Sequence, residues 1–98
     1  MEPLNKLNKI LQLAKDIENS DLGDEEKYDM IFSEKISLQV APLFRELNVR
    51  FEYYDPDTSY YEDVRAFVSA LESEVEALNK NLENNYSKDD LLRRYNKL

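Results

Sequence analysis

The sequence predicts an all-α fold, a small antiparallel four-helix bundle, in a single domain spanning residues 1–98. Three observations predict it. Apolar residues recur at three- and four-residue steps through most of the chain, which is the period of one helical face. One glycine and three prolines are too few for the tight turns of a β-sandwich or barrel. The one run that alternates like a strand, Val49, Phe51 and Tyr53, has no second run to pair with.

The first helix is expected from about Pro3 to Asn19. Proline suits a first helical turn, where its missing N–H costs nothing. Leu4, Leu7, Ile10, Leu11, Ala14 and Ile17 make its apolar stripe. Ser20 to Asp24 breaks the pattern, and Gly23, the chain's only glycine, is expected where a turn needs a positive φ.

The second helix starts near Asp24. Asp24, Glu25 and Glu26 stand where acids offset the helix dipole. Its stripe is Tyr28, Ile31, Phe32, Ile36, Val40, Leu43, Phe44 and Leu47. Pro42 lies within that stripe, removes one backbone bond and biases Ala41 away from helical angles. The second helix is therefore expected to kink or break near Pro42, around residues 40–42. Residues 48–57 then form an extended or one-turn-helical crossover.

The third helix opens with a capping box, Ser59-Tyr60-Tyr61-Glu62. Val64, Val68, Leu71, Val75, Leu78 and Leu82 follow as a heptad seam. The fourth helix is short. Ser87 is its expected cap, Asp89 and Asp90 fill its first turn, and Arg93, Arg94 and Lys97 its last. Leu91, Leu92, Tyr95 and Leu98 supply its apolar contacts.

Charge narrows the function. The chain carries 13 Lys+Arg against 21 Asp+Glu, a net charge of −8. That disfavours a nucleic acid backbone or an anionic membrane and favours a basic partner. The chain has neither cysteine nor histidine, so thiol chemistry, thiolate metal sites and the commonest general base are excluded. Asp55-x-Asp57-x-Ser59 begins like a calcium loop. It carries Tyr60 where that loop needs glycine and Ala66 where it needs glutamate, so an EF-hand is rejected. No catalytic, cofactor or metal residue is assigned. The absence of an apolar run near membrane-spanning length, and of a signal-peptide core, makes cytoplasmic location the expectation.

The acids are not spread evenly. Asp16 to Asp29 contains seven acids against one base, Lys27; Glu52 to Glu76 contains eight against one, Arg65. Four of the seven tyrosines fall together as Tyr53, Tyr54, Tyr60 and Tyr61. Tyrosine is a common interface anchor because it buries a rigid ring and keeps a polar tip. Surrounding acids steer a basic partner. The same features also serve a solvated face and a small core, and the sequence leaves Tyr53 and Tyr54 open between packing and partner contact.

The order of these features resembles the small helical immunity proteins that protect bacteria from their own colicin- and pyocin-type nuclease toxins. Ile10-Leu11-Gln12-Leu13 looks like that family's first helix, and Asp24-Glu25-Glu26 like the acidic start of its second. Tyr53-Tyr54 with Pro56 looks like its Tyr-Tyr-Pro element, and Asp63 to Val68 stands where its fourth helix would begin. The likeness covers roughly residues 7–72. It departs where Asp55 separates Tyr54 from Pro56, where the second helix is longer and carries Pro42, where the family's tryptophan and glycine-lysine-rich tail are absent, and where the third helix runs on. The resemblance implies that Glu25, Glu26, Asp29, Tyr53, Tyr54 and Asp55 contact the toxin.

Three functions compete. The first is a non-enzymatic inhibitor of a basic protein, such as an immunity protein or antitoxin against a nuclease. The second is a phage-type nucleic-acid mimic, an anti-restriction or anti-CRISPR inhibitor whose carboxylates stand in for phosphates. The third is an assembly protein that self-associates through the heptad of its third helix.

Overall fold

The structure, a computed structural model, describes residues 2–84 and 88–97, with the side chains of residues 81–91 outside that description. Among the described residues five helices follow one another: α1 (Glu2–Glu18), α2 (Asp24–Ile31), α3 (Ser37–Glu46), α4 (Tyr60–Asn84) and α5 (Lys88–Asn96). No strand occurs among the described residues.

The α1 stripe packs as its spacing requires, with Leu4, Leu7, Ile10, Ala14 and Ile17 buried. Its main neighbour is α4, which buries Val64, Phe67, Val68, Leu71 and Val75. Two side-chain contacts fix how these helices run. Asn8 and Asn79 exchange amide hydrogen bonds of 3.4 and 2.9 Å. The Lys15 ammonium lies 3.0 Å from the Glu72 carboxylate. Seven residues forward on α1 therefore matches seven residues back on α4, so the two helices are antiparallel. The heptad seam of α4 is packed within the molecule, since α1 and α2 both lie against this helix. Leu78 is only partly buried at its far end, and Leu82 lies outside the described side chains.

The expected second helix is two helices, and the interruption falls at residues 32–36 rather than 40–42. Ser33 accounts for its position. Its hydroxyl donates to the Met30 carbonyl at 2.7 Å and accepts the Lys35 N–H at 3.3 Å, so the side chain competes with the helical backbone ladder. The break leaves α2 packed on α4 and α1, while α3 packs on α1. Pro42 lies inside α3. Its ring and Leu38, one turn earlier, are both exposed, so water can reach the carbonyl that lacks a proline N–H to bind.

Gly23 also departs from expectation. It has φ −68° and ψ 160°, an extended conformation open to any residue, and stands as the N-cap of α2. The positive φ values belong to Asn48 (58°) and Asp57 (50°). These short polar side chains tolerate the left-handed region. They bracket the crossover from α3 to α4, whose backbone is not helical. Its alternation is real: Val49, Phe51 and Tyr53 pack inward against the core, while Arg50, Glu52 and Tyr54 are exposed.

Two polar contacts finish the helix ends. Lys27 donates from Nζ to the Glu18 carbonyl at 2.8 Å, placing a cation on the negative end of the α1 dipole. Ser59 Oγ accepts the Glu62 N–H at 3.1 Å and so caps α4. On α5 the described side chains, residues 92–96, are exposed. Its expected cap Ser87, and Asp89, Asp90, Leu91 and Leu98, lie outside the described side chains. Among the described residues no helix is long and apolar enough to cross a membrane.

Candidate protein-binding surface

Extended backbone turns successive side chains to opposite faces, and this separates the tyrosine pair. Tyr53 points into the molecule. Its ring meets Phe67 edge-on at 5.3 Å and tilts against Phe51 at 5.9 Å. Burial pushes its hydroxyl above the ordinary tyrosine pKa, and the nearby Asp55 charge adds to the rise. Tyr54 faces out and is 83% exposed. The pair is thus one packing residue and one surface residue.

Phe67 joins this region together. Besides Tyr53 it touches Phe51 at 5.9 Å and Phe32 at 5.4 Å. Phe51 in turn stacks on Phe44 at 4.9 Å. Tyr28 extends the chain of rings outward, 4.7 Å from Phe32 and 4.9 Å from Tyr60. Through Tyr28 the acidic helix α2 adjoins the start of α4. Glu25 and Asp29 flank Tyr28 at three- and one-residue steps on the same helix, and with Glu26 all three acids are exposed. The structure therefore holds α2 and the crossover against one aromatic cluster, with Glu25, Glu26, Asp29, Tyr54 and Asp55 left open to solvent.

Sequence reasoning met Asp57, Ser59 and Tyr60 between them, in the rejected calcium loop and the tyrosine cluster, but assigned them no site. A hollow of about 380 Å³ is lined by Tyr28, Asp57, Thr58, Ser59, Tyr60 and Asp63. Asp63 is only 6% exposed, a rare position for a carboxylate. The Asp57 N–H points at two carboxylates at once, Asp63 Oδ1 at 2.9 Å and Asp55 Oδ1 at 3.1 Å. Burial raises the Asp63 pKa, the adjoining Asp55 carboxyl raises it further, and the Asp57 N–H opposes both. The signal in the sequence was three aspartates, Asp55, Asp57 and Asp63, on either side of a capped helix start.

A second recess, between α1 and α4, is chemically different. It is lined in part by Lys15, Glu18, Arg65 and Glu72. Lys15 is held to Glu72, which raises its pKa, and Arg65 donates to the Tyr61 hydroxyl at 3.1 Å. Burial raises the Glu18 carboxyl, and its Oε2 has no hydrogen-bond partner among the described residues. Positive and negative groups alternate here, so this recess has no net preference for a charged ligand. Among the described residues no group of three or more His, Cys, Asp or Glu side chains is arranged to hold a metal ion.

Comparison with known protein families, with characterised proteins and with solved structures finds no match to this chain. The likeness to the immunity proteins therefore rests on the residues that carry it.

Proposed function

We propose that the chain is a non-enzymatic inhibitor that binds a basic protein, with a toxin nuclease as the partner its chemistry fits best. In this reading it is an immunity protein or antitoxin acting in the cytoplasm. Its scaffold is an antiparallel bundle in which α2 and α3 together fill the place of one interrupted helix. The observation that carries the proposal is the exposed Tyr54 ring next to Asp55 on the crossover, together with the exposed acids Glu25, Glu26 and Asp29 on α2, the two elements meeting at one aromatic cluster. A rigid aromatic supplies contact area and the acids attract a cationic surface. Tyr53 supports this face from beneath by packing on Phe67.

The test is affinity capture from host lysate, followed by binding of the purified partner to variants. A basic nuclease held by the wild type, inhibited by it, and bound about 30-fold more weakly by Tyr54→Ala supports the proposal; that is the scale of a loss of about 2 kcal/mol at a hot spot. A captured partner that binds Tyr54→Ala and Glu25→Lys/Asp29→Lys as tightly as the wild type removes this surface from consideration.

A further inference from the structure

We infer that the hollow lined by Tyr28, Tyr60, Asp57 and Asp63 is a receptor for one cationic side chain of the basic partner, arginine in preference to lysine. The inference rests on the proposed function and names a contact point that the six residues expected from sequence do not include.

The walls argue for a cation. Tyr28 and Tyr60 pack on each other, ring centroids 4.9 Å apart at 56°, and both line the hollow. Aromatic faces attract a cation through the ring quadrupole. Asp57 and Asp63 line the same hollow. Asp63 is buried, and the charged groups that act on it are the carboxylates of Asp55 and Asp57. Among the described residues the ion pairs lie elsewhere, at Glu2–Lys6, Lys15–Glu72 and Arg50–Glu52.

One effect opposes a cation. The hollow lies at the N-terminus of α4, where the helix dipole places about half a positive charge. Three aspartates, with Glu62 in the first turn, outweigh that half charge. The site is therefore negative on balance. Arginine fits better than lysine because its planar guanidinium stacks on a ring, is more weakly hydrated and can bridge two carboxylates.

The experiment is a chemical-shift titration of the full chain by NMR, with acetyl-Gly-Arg-Gly-amide as the probe. The control carries citrulline, which has nearly the same shape without the charge. The expected result is saturable shifts at Tyr28, Asp57 to Tyr60 and Asp63 with the arginine peptide only, weakened about tenfold in Asp57→Asn and in Tyr60→Leu. Asparagine keeps the left-handed conformation at position 57, so Asp57→Asn removes charge without straining the turn. Equal shifts from the citrulline peptide, saturation at a different face, or no saturation through the millimolar range each overturn the inference. Binding of the captured nuclease separates the two claims. If Tyr54→Ala releases it and Asp57→Asn does not, the hollow is wrong and the proposed function stands. If neither variant matters, the hollow is wrong and the Tyr54 surface falls with it; the proposed function itself fails if no basic protein is captured or inhibited.

Discussion

The two ends of the α1–α4 pair are built from different materials. Toward the C-terminus of α4 the seam is aliphatic, with Leu7, Ile10, Leu71 and Val75 buried and the Asn8–Asn79 pair across it. Toward the N-terminus of α4 the core is aromatic, with Phe32, Phe44, Phe51, Tyr53 and Phe67 in contact. The aliphatic end is helix on helix. The aromatic end is where a non-helical crossover and the broken α2–α3 segment meet α4. Large rings fill irregular space between elements that do not share a helical period, and each ring orients the next through edge and face contacts.

The sharpest way to break this comparison is to remove the ring that joins it. Phe67→Ala deletes a buried side chain that touches three other aromatics. It is expected to cost about 3–5 kcal/mol in urea unfolding and to erase most of the tyrosine near-ultraviolet circular dichroism. Leu71→Ala, one turn along on the same buried face, is expected to cost about 2–5 kcal/mol while leaving that signal intact below its transition. If both substitutions change the spectrum equally, the two ends are not separate packing regions.

The next comparison lies within the crossover. Tyr53→Ala removes a half-buried ring and is expected to lower stability by about 2 kcal/mol. Tyr54→Ala is expected to change stability by less than about 0.5 kcal/mol, because its ring is almost fully exposed. Matched losses in thermal or urea denaturation would show that the two side chains do not face opposite ways.

The smallest effect is a pH dependence. Asp63 and Glu18 both have raised folded pKa values, chiefly from burial. Each therefore binds a proton more readily in the folded chain than in the unfolded one. Their contribution to stability rises as pH falls through the folded values toward the ordinary carboxyl range near about 4, and is lost as pH rises again. Melting curves between neutral and mildly acid pH are expected to show this rise in the wild type and less of it in Asp63→Asn, whose side chain can still accept the Asp57 N–H. An identical pH profile in the variant would mean that Asp63 carries none of the effect.

The aliphatic end was legible in the sequence because helical spacing alone predicts it. The stripe of α1 and the heptad of α4 are buried where they were expected as far as the described residues run, with Leu11 and Leu78 only partly covered. The break in the second helix was hidden because Phe32 and Ile36 keep the same four-residue step across it. Its signal was one hydroxyl, Ser33, while Pro42 drew attention to a point where the helix continues. The site was half legible. Composition pointed to Tyr53, Tyr54 and the acids of α2, and alternation along an extended chain decided which tyrosine faces in. The hollow was not legible, because Tyr28 meets Tyr60 only through tertiary packing.

The Asn8–Asn79 pair sets a schedule as well as a register. These residues are 71 positions apart in the chain, so α1 cannot complete its packing on α4 until α4 has been made almost to its end. During synthesis α1 and α2 must wait together with their apolar stripes unmatched by α4, and whatever structure they hold is provisional. A nascent chain halted before residue 72 lacks both polar contacts that set the two helices in step, Lys15–Glu72 and Asn8–Asn79. Pairing of α1 with α4 therefore closes a long loop, and that closure delays the contacts that make it favourable.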